Sequence, residues 1–184
     1  MKHQSPSDST VSEDAARQRI YPGESATAVE IKKLADEYRT AAHHLCERGR
    51  RGSPLSWAPY RLIAIQAIEL YLNALLLHQN HEPSNVRGLQ HNLSLRADMA
   101  IAAGLKLRKL TAVHLHALNA NREYLTSRYN PELNTTTSQP NRLAATLDEV
   151  AKKVSFVIMA DSKKSPPLKS GAASRSVAAS NSLL

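Results

Sequence analysis

Apolar residues recur along this chain at intervals of three and four, in five separate stretches. The first runs from about Ala26 to Arg48, where Ile31, Leu34, Tyr38, Ala42 and Leu45 fall on one helical face. The glycines and proline between Gly49 and Pro54 end it. A second helix is predicted to begin near Pro59, whose missing N–H suits a first turn. From Tyr60 to Leu77 nearly every position is apolar, which predicts a central helix with partners on all sides. Residues 81–85 carry turn chemistry. Asn92 then caps a short helix, Leu93–Ala103, that Gly104 stops. A fourth helix is predicted over Lys106–Arg128, with Leu107, Leu110, His114, Leu118 and Leu125 on or near one stripe. The fifth starts near Pro140 and sets Leu143, Leu147, Val150, Val154 and Val157 at a regular four-three spacing. The pattern predicts an all-α fold, four long helices plus one short helix bundled around Tyr60–Leu77.

Composition marks out where this fold begins and ends. Residues 1–24 and 161–184 are rich in Ser, Ala, Lys and Pro without apolar periodicity, and both are predicted to be disordered. The bundle is expected over 25–160. Six glycines and one phenylalanine fit helices better than strands. Gln66, Glu69 and Asn73 interrupt the best apolar run before the roughly 18 residues of a membrane span. The first twenty residues lack the apolar centre of a secretory signal, so a cytoplasmic protein without membrane contact is expected. Cys46 is the single cysteine, which excludes an internal disulfide. The formal charge of +8 lies mostly on the central body and suits anionic partners without demanding them.

Glu69 is the residue richest in chemical implication. With Gln66 and Asn73 it draws a polar line at i, i+3 and i+7 on an otherwise apolar helix. A buried carboxylate without a partner costs several kcal/mol or takes up a proton. A donor is therefore expected, and His91, Arg122 and Arg128 are the candidates. A structural polar cluster of Gln66, Glu69, Asn73 and His91 is the favoured reading, and the wall of a binding site is the other. Arg122, Arg128, Tyr124 and Tyr129 gather at the end of the fourth helix. Guanidinium groups bind phosphate bidentately and tyrosine rings stack on bases, so these four form a candidate nucleotide or RNA contact. A salt bridge with ring packing explains them equally well. Arg48, Arg50 and Arg51 cluster on a glycine-rich loop, where a solvated turn is the simpler account. His43, Cys46 and Glu47 share a helical face but lack a second ligand pair at zinc spacing, so no metal and no cofactor are expected.

Three segments in order resemble the HEPN family of small helical bundles. Ala67–Leu77, reading AIELYLNALLL, is similar to that family's second-helix motif. His91–Leu95, reading HNLSL, looks like its next helix start. Leu118 through Tyr124 to Tyr129 resembles its "L-x-x-x-Y-x-x-x-R-Y-P" segment, with Asn130 inserted before Pro131 and Asn73 standing where the family usually has lysine. The resemblance implies a HEPN-like bundle over residues 35 to 157, a setting of stress response, toxin–antitoxin pairing or phage defence, a homodimer, and a nucleotidyltransferase-like partner protein. Ribonuclease members carry Arg followed after four to six residues by His. Counted from Arg122 or Arg128, those places hold no histidine. Arg39–His44 and Arg108–His114 fit the spacing, but neither lies where the family motif falls. The resemblance thus implies a non-catalytic binding or regulatory module. Its rivals are a ribonuclease toxin with a displaced acid/base residue and a protein-interaction adaptor without ligand.

Overall fold

The computed structural model describes residues 21–131 and 137–162, and among them every regular element is helical. In chain order these are α1 (Ala28–Arg48), a 3₁₀ turn (Pro54–Trp57), α2 (Ala58–His78), α3 (Pro83–Gly88), α4 (Leu93–Ala102), α5 (Lys109–Ala120), α6 (Glu123–Tyr129) and α7 (Pro140–Ser162). Three helices are long rather than four, and α3 lies where only turn residues are expected.

α1 begins at a reciprocal cap, in which Thr27 accepts the Glu30 N–H and Glu30 accepts the Thr27 N–H. Its buried positions are Ala35 and Ala42, while Leu34 stands largely exposed. The small buried residues let α1 approach α2 closely. Gly49 ends α1 beneath Trp57, whose indole lies 2.3 Å from where a β-carbon would sit. The Trp57 Nε1–H donates to the Arg50 carbonyl at 3.2 Å and holds the ring there. Arg50 and Arg51 therefore ride on a pinned, exposed turn. Gly49→Ala is expected to force the indole out and lower stability by about 1–3 kcal/mol, read as a drop in the urea midpoint.

α2 is the central helix. Twelve of its residues are buried, from Tyr60 to Leu76, and it touches α1, α4, α6 and α7. Ile68, Leu72 and Leu75 meet Leu115 and Leu118 of α5 and Leu143, Leu147 and Val150 of α7 in one core. The segment Pro54–His78 is long and apolar enough to cross a membrane, yet most of it is buried inside the bundle, as a core helix must be. Its two tyrosines turn their hydroxyls outward to partners. Tyr60 donates to the Pro140 carbonyl at 3.0 Å and Tyr71 to Asp36 at 2.6 Å.

The predicted fourth helix is two helices. Arg122 adopts left-handed backbone angles, φ 50° and ψ 39°, and splits α5 from α6. The reason lies one residue on. Glu123 is 1% exposed and accepts from the Ser138 N–H at 2.7 Å, the Ser138 hydroxyl at 2.9 Å and Arg61 at 3.4 Å. A straight helix would leave this anchor unreachable, and the partners it meets lie far along the chain. The break also turns α5, whose buried face is Thr111, His114, Leu115 and Leu118, leaving the predicted stripe residue Leu110 exposed.

At the other end of α5, Glu149 of α7 stands in for a missing cap. It accepts the Arg108 N–H at 2.7 Å, the Arg108 Nε–H at 2.6 Å and the Thr111 hydroxyl at 2.6 Å. Of the two segments predicted to be disordered, residues 1–20 and 163–184 lie outside the described residues. Residues 21–24 form a turn instead, with the Arg87 guanidinium 4.7 Å from the Tyr21 ring centre and 3.5 Å from the Glu24 carboxylate.

Candidate functional site

Glu69 sits on α2 between Ile68 and Leu70, 7% exposed, and the bundle supplies two donors. His91 Nδ1 lies 3.0 Å from its Oε2, and Arg96 Nη2 lies 3.4 Å from its Oε1. His91 is thus the partner expected from sequence. Arg122 and Arg128 are not. Both are exposed, Arg122 at the α5–α6 break and Arg128 beyond it, and neither guanidinium forms an ion pair or hydrogen bond with the described residues.

Arg96 takes the place expected of them. It is 2% exposed, donating through Nε to Asn73 at 2.7 Å and through Nη1 and Nη2 to the carbonyls of Leu89, Asn92 and Val86. Burial pulls its guanidinium below the ordinary arginine value, and the Glu69 charge opposes that pull. One side chain thereby joins α2, α3 and α4. Its signal in the sequence is its place on the buried face of α4, with Leu93, Ala97 and Ala100. The predicted polar cluster survives as Glu69, Asn73 and His91 linked through Arg96. Gln66 stands apart, its amide without a hydrogen bond among the described residues, although it lines the same cleft of about 700 Å³ as the other three.

His91 links this cluster to the surface. Its ring packs on Tyr124, centroids 4.8 Å apart and tilted by 35°. With the Glu69 carboxylate on Nδ1, the ring orientation is fixed and Nε2 remains for another partner. The two rings and Arg122 line one polar pocket of about 480 Å³, which residues 88–92 and Asn119 complete. Asn119 Oδ1 accepts the Leu93 N–H at 3.1 Å, tying the end of α5 to the start of α4 at this pocket. On its other side Arg122 lines a second shallow pocket of about 400 Å³ with Leu125, Thr126 and Tyr129. Tyr129 is 75% exposed. Arg122 therefore stands on a wall common to two hollows, with a tyrosine in each.

Two residues around the first hollow, Gln90 at φ 49° and Arg122 at φ 50°, hold left-handed backbone that non-glycine residues rarely adopt. Such strain costs on the order of 1–3 kcal/mol per residue and persists where surrounding contacts over-determine it. At Arg122 the constraint is the buried Glu123 anchor. The result is an exposed arginine with no ion-pair partner among the described residues.

Several of the remaining sequence candidates have structural partners. Arg39 donates to Asp148 at 2.7 and 3.0 Å, and His43 lies 3.2 Å from the same oxygen, bracing α1 on α7. Arg108 is held by Glu149. His114 is buried against the Thr146 hydroxyl at 2.7 Å, and burial together with the charges of Arg142 and Arg61 pushes its pKa down to about 4. Among the described residues, no three His, Cys, Asp or Glu side chains converge as metal ligands.

Fold and site together define an all-helical protein with a buried Glu–Arg–His cluster opening onto an arginine–tyrosine surface. No family model, curated protein or solved structure matches this chain.

Proposed function

We propose that the chain is a non-catalytic, HEPN-like binding or regulatory module that grips the phosphate of a nucleotide or of single-stranded RNA. Arg122 carries this reading: a solvent-facing guanidinium, unpaired among the described residues, held in strained backbone between two hollows that each contain a tyrosine. Arg128, six residues further on, adds a second exposed charge with no ion-pair partner among the described residues. Two cations interleaved with the half-buried Tyr124 ring and the exposed Tyr129 ring suit a flexible phosphate chain with splayed bases. The setting belongs to the same proposal: stress response, toxin–antitoxin pairing or defence, with a nucleotidyltransferase-like partner and a second copy of the chain. The exposed Leu110 and Val113 on α5 offer apolar area for the second copy.

The Glu69–His91 pair favours one other reading, a ribonuclease with His91 as the displaced base. Cleavage moves two protons, one off the attacking hydroxyl and one onto the leaving oxygen. The pocket of Arg122 contains a single imidazole. Binding needs no second proton carrier, and for that reason it is preferred.

Fluorescence anisotropy with a labelled RNA oligonucleotide tests both. Arg122→Ala is expected to weaken binding at least tenfold, and to flatten the dependence of log K on log salt by about 0.7 for the lost phosphate contact. Equal affinity in wild type and variant refutes the proposal. RNA cleavage abolished by His91→Ala establishes the rival, and no binding to RNA or nucleotides at all leaves the adaptor reading.

A further inference from the structure

The chain contains one phenylalanine, Phe156 on α7, and it is 75% exposed. Met159, three residues on and 59% exposed, extends the same face. A bundle with so few aromatic residues would be expected to bury its single phenylalanine. Both side chains line a groove of about 1070 Å³, bounded by α7, the loop after α4 and Arg39 of α1. Leu105 and Val157 continue its apolar lining.

The charges along this groove are of one sign where they are free. Arg39 is held by Asp148, and Lys153 shares the carboxylate of Glu149 with Arg108, so neither of these cations is free. Lys106 and Lys152 line the same groove, are exposed, and have no ion-pair partner among the described residues. Apolar lining with two unpaired cations calls for an occupant with an apolar ridge and acidic flanks.

We propose that this groove docks an acidic amphipathic helix of another protein. Its lining on α7 runs from Asp148 to Met159, about 16 Å at 1.5 Å per residue, the span of three helical turns. Three turns present apolar anchors at i, i+3 or i+4, and i+7, the spacing by which a helix seats in a groove. A concave surface accepts a ridge, whereas a lipid bilayer offers none. A second copy would bring its own Lys106 and Lys152 to a self-complementary interface and place like charges together. The chain's own C-terminal residues 163–184 carry Lys163, Lys164, Lys169 and Arg175 with no acidic residue, so their charge opposes the groove.

The experiment uses the full chain and a fluorescent designed peptide of about 14 residues, with leucines at helical spacing and glutamates between them. A scrambled peptide of the same composition and a lysine-for-glutamate peptide are the controls. The acidic helix is expected to bind, and Phe156→Ser to weaken it at least tenfold. Lys106→Glu with Lys152→Glu is expected to reverse the preference toward the lysine peptide. All three positions are exposed, and circular dichroism confirms that the variants keep their helices. Arg122→Ala is expected to leave peptide binding unchanged, which separates this groove from the proposed phosphate site. The proposal is overturned if the scrambled peptide binds as well or if no binding occurs at millimolar peptide. It is equally overturned if Phe156→Ser dissolves a dimer, or releases the protein from phosphatidylserine vesicles.

Discussion

Glu123→Ala is expected to lower the unfolding free energy by about 3–5 kcal/mol, the usual cost of stripping one partner from a buried ion pair. Arg61, 6% exposed, would keep its charge inside the bundle without a carboxylate, and its Nε already lacks a hydrogen-bond partner. Burial pulls that guanidinium below its ordinary value and the Glu123 charge is the main influence opposing the pull, so removing Glu123 leaves the burial cost largely uncompensated. The Ser138 N–H and hydroxyl would lose their acceptors as well. Urea denaturation measures the loss, and a cost under about 1 kcal/mol would show that the pair does not anchor the fold. Glu123→Gln combined with Arg61→Met is expected to be less damaging than Glu123→Ala. The amide still accepts from Ser138 and no buried charge remains, so the costs of the two changes should not add.

Acid should unfold the protein in two stages, each with its own residue. His114 has a folded pKa of about 4 against an ordinary 6.5, so the folded chain refuses a proton that the unfolded chain accepts. Stability present at neutral pH is therefore lost as pH falls from about 6.5 to 4, by about 3 kcal/mol at 1.36 kcal/mol per pH unit. Glu149 acts lower. Burial raises its pKa, but hydrogen bonds from Lys153, Thr111 and Arg108 outweigh that and hold it at about 2 against 4.5. Its contribution is intact above pH 4.5 and disappears toward pH 2, and solvent screening at its partners, the exposed Arg108 and half-buried Lys153, makes it the smaller of the two. Urea midpoints at pH 7, 5 and 3 give the profile. His114→Phe should flatten the upper stage alone, and Glu149→Gln the lower stage alone. A profile that His114→Phe leaves unchanged between pH 6.5 and 4 contradicts the first assignment.

What the sequence revealed about the fold was local. Pro59, Asn92 and Gly104 mark helix ends by backbone chemistry, and the structure puts ends close to them, with the Asn92 side chain capping α4. The apolar run of α2 identified the central helix because burial on all sides leaves no polar face. The α5–α6 break was hidden, since neither glycine nor proline marks it and its cause, Glu123 meeting Arg61 and Ser138, is a contact between distant segments. The same distinction divides the site. His91 was readable as one of three candidate partners of Glu69, beside Arg122 and Arg128, because a buried carboxylate requires a donor. Arg96 was passed over beside a conspicuous pair of arginines. Which of three arginines reaches a buried carboxylate depends on how helices turn against each other, and periodicity does not encode that.

The left-handed backbone at residue 122 also bears on how this chain can change over generations. Glycine adopts φ 50° without strain, and every arginine codon becomes a glycine codon by one change at its first base. Arg122→Gly is thus both near in mutation and favourable for folding, by on the order of 1 kcal/mol. Only the guanidinium stands against it. In a lineage without need of the proposed phosphate contact, this position should be among the first to drift, and it should drift toward a more stable protein.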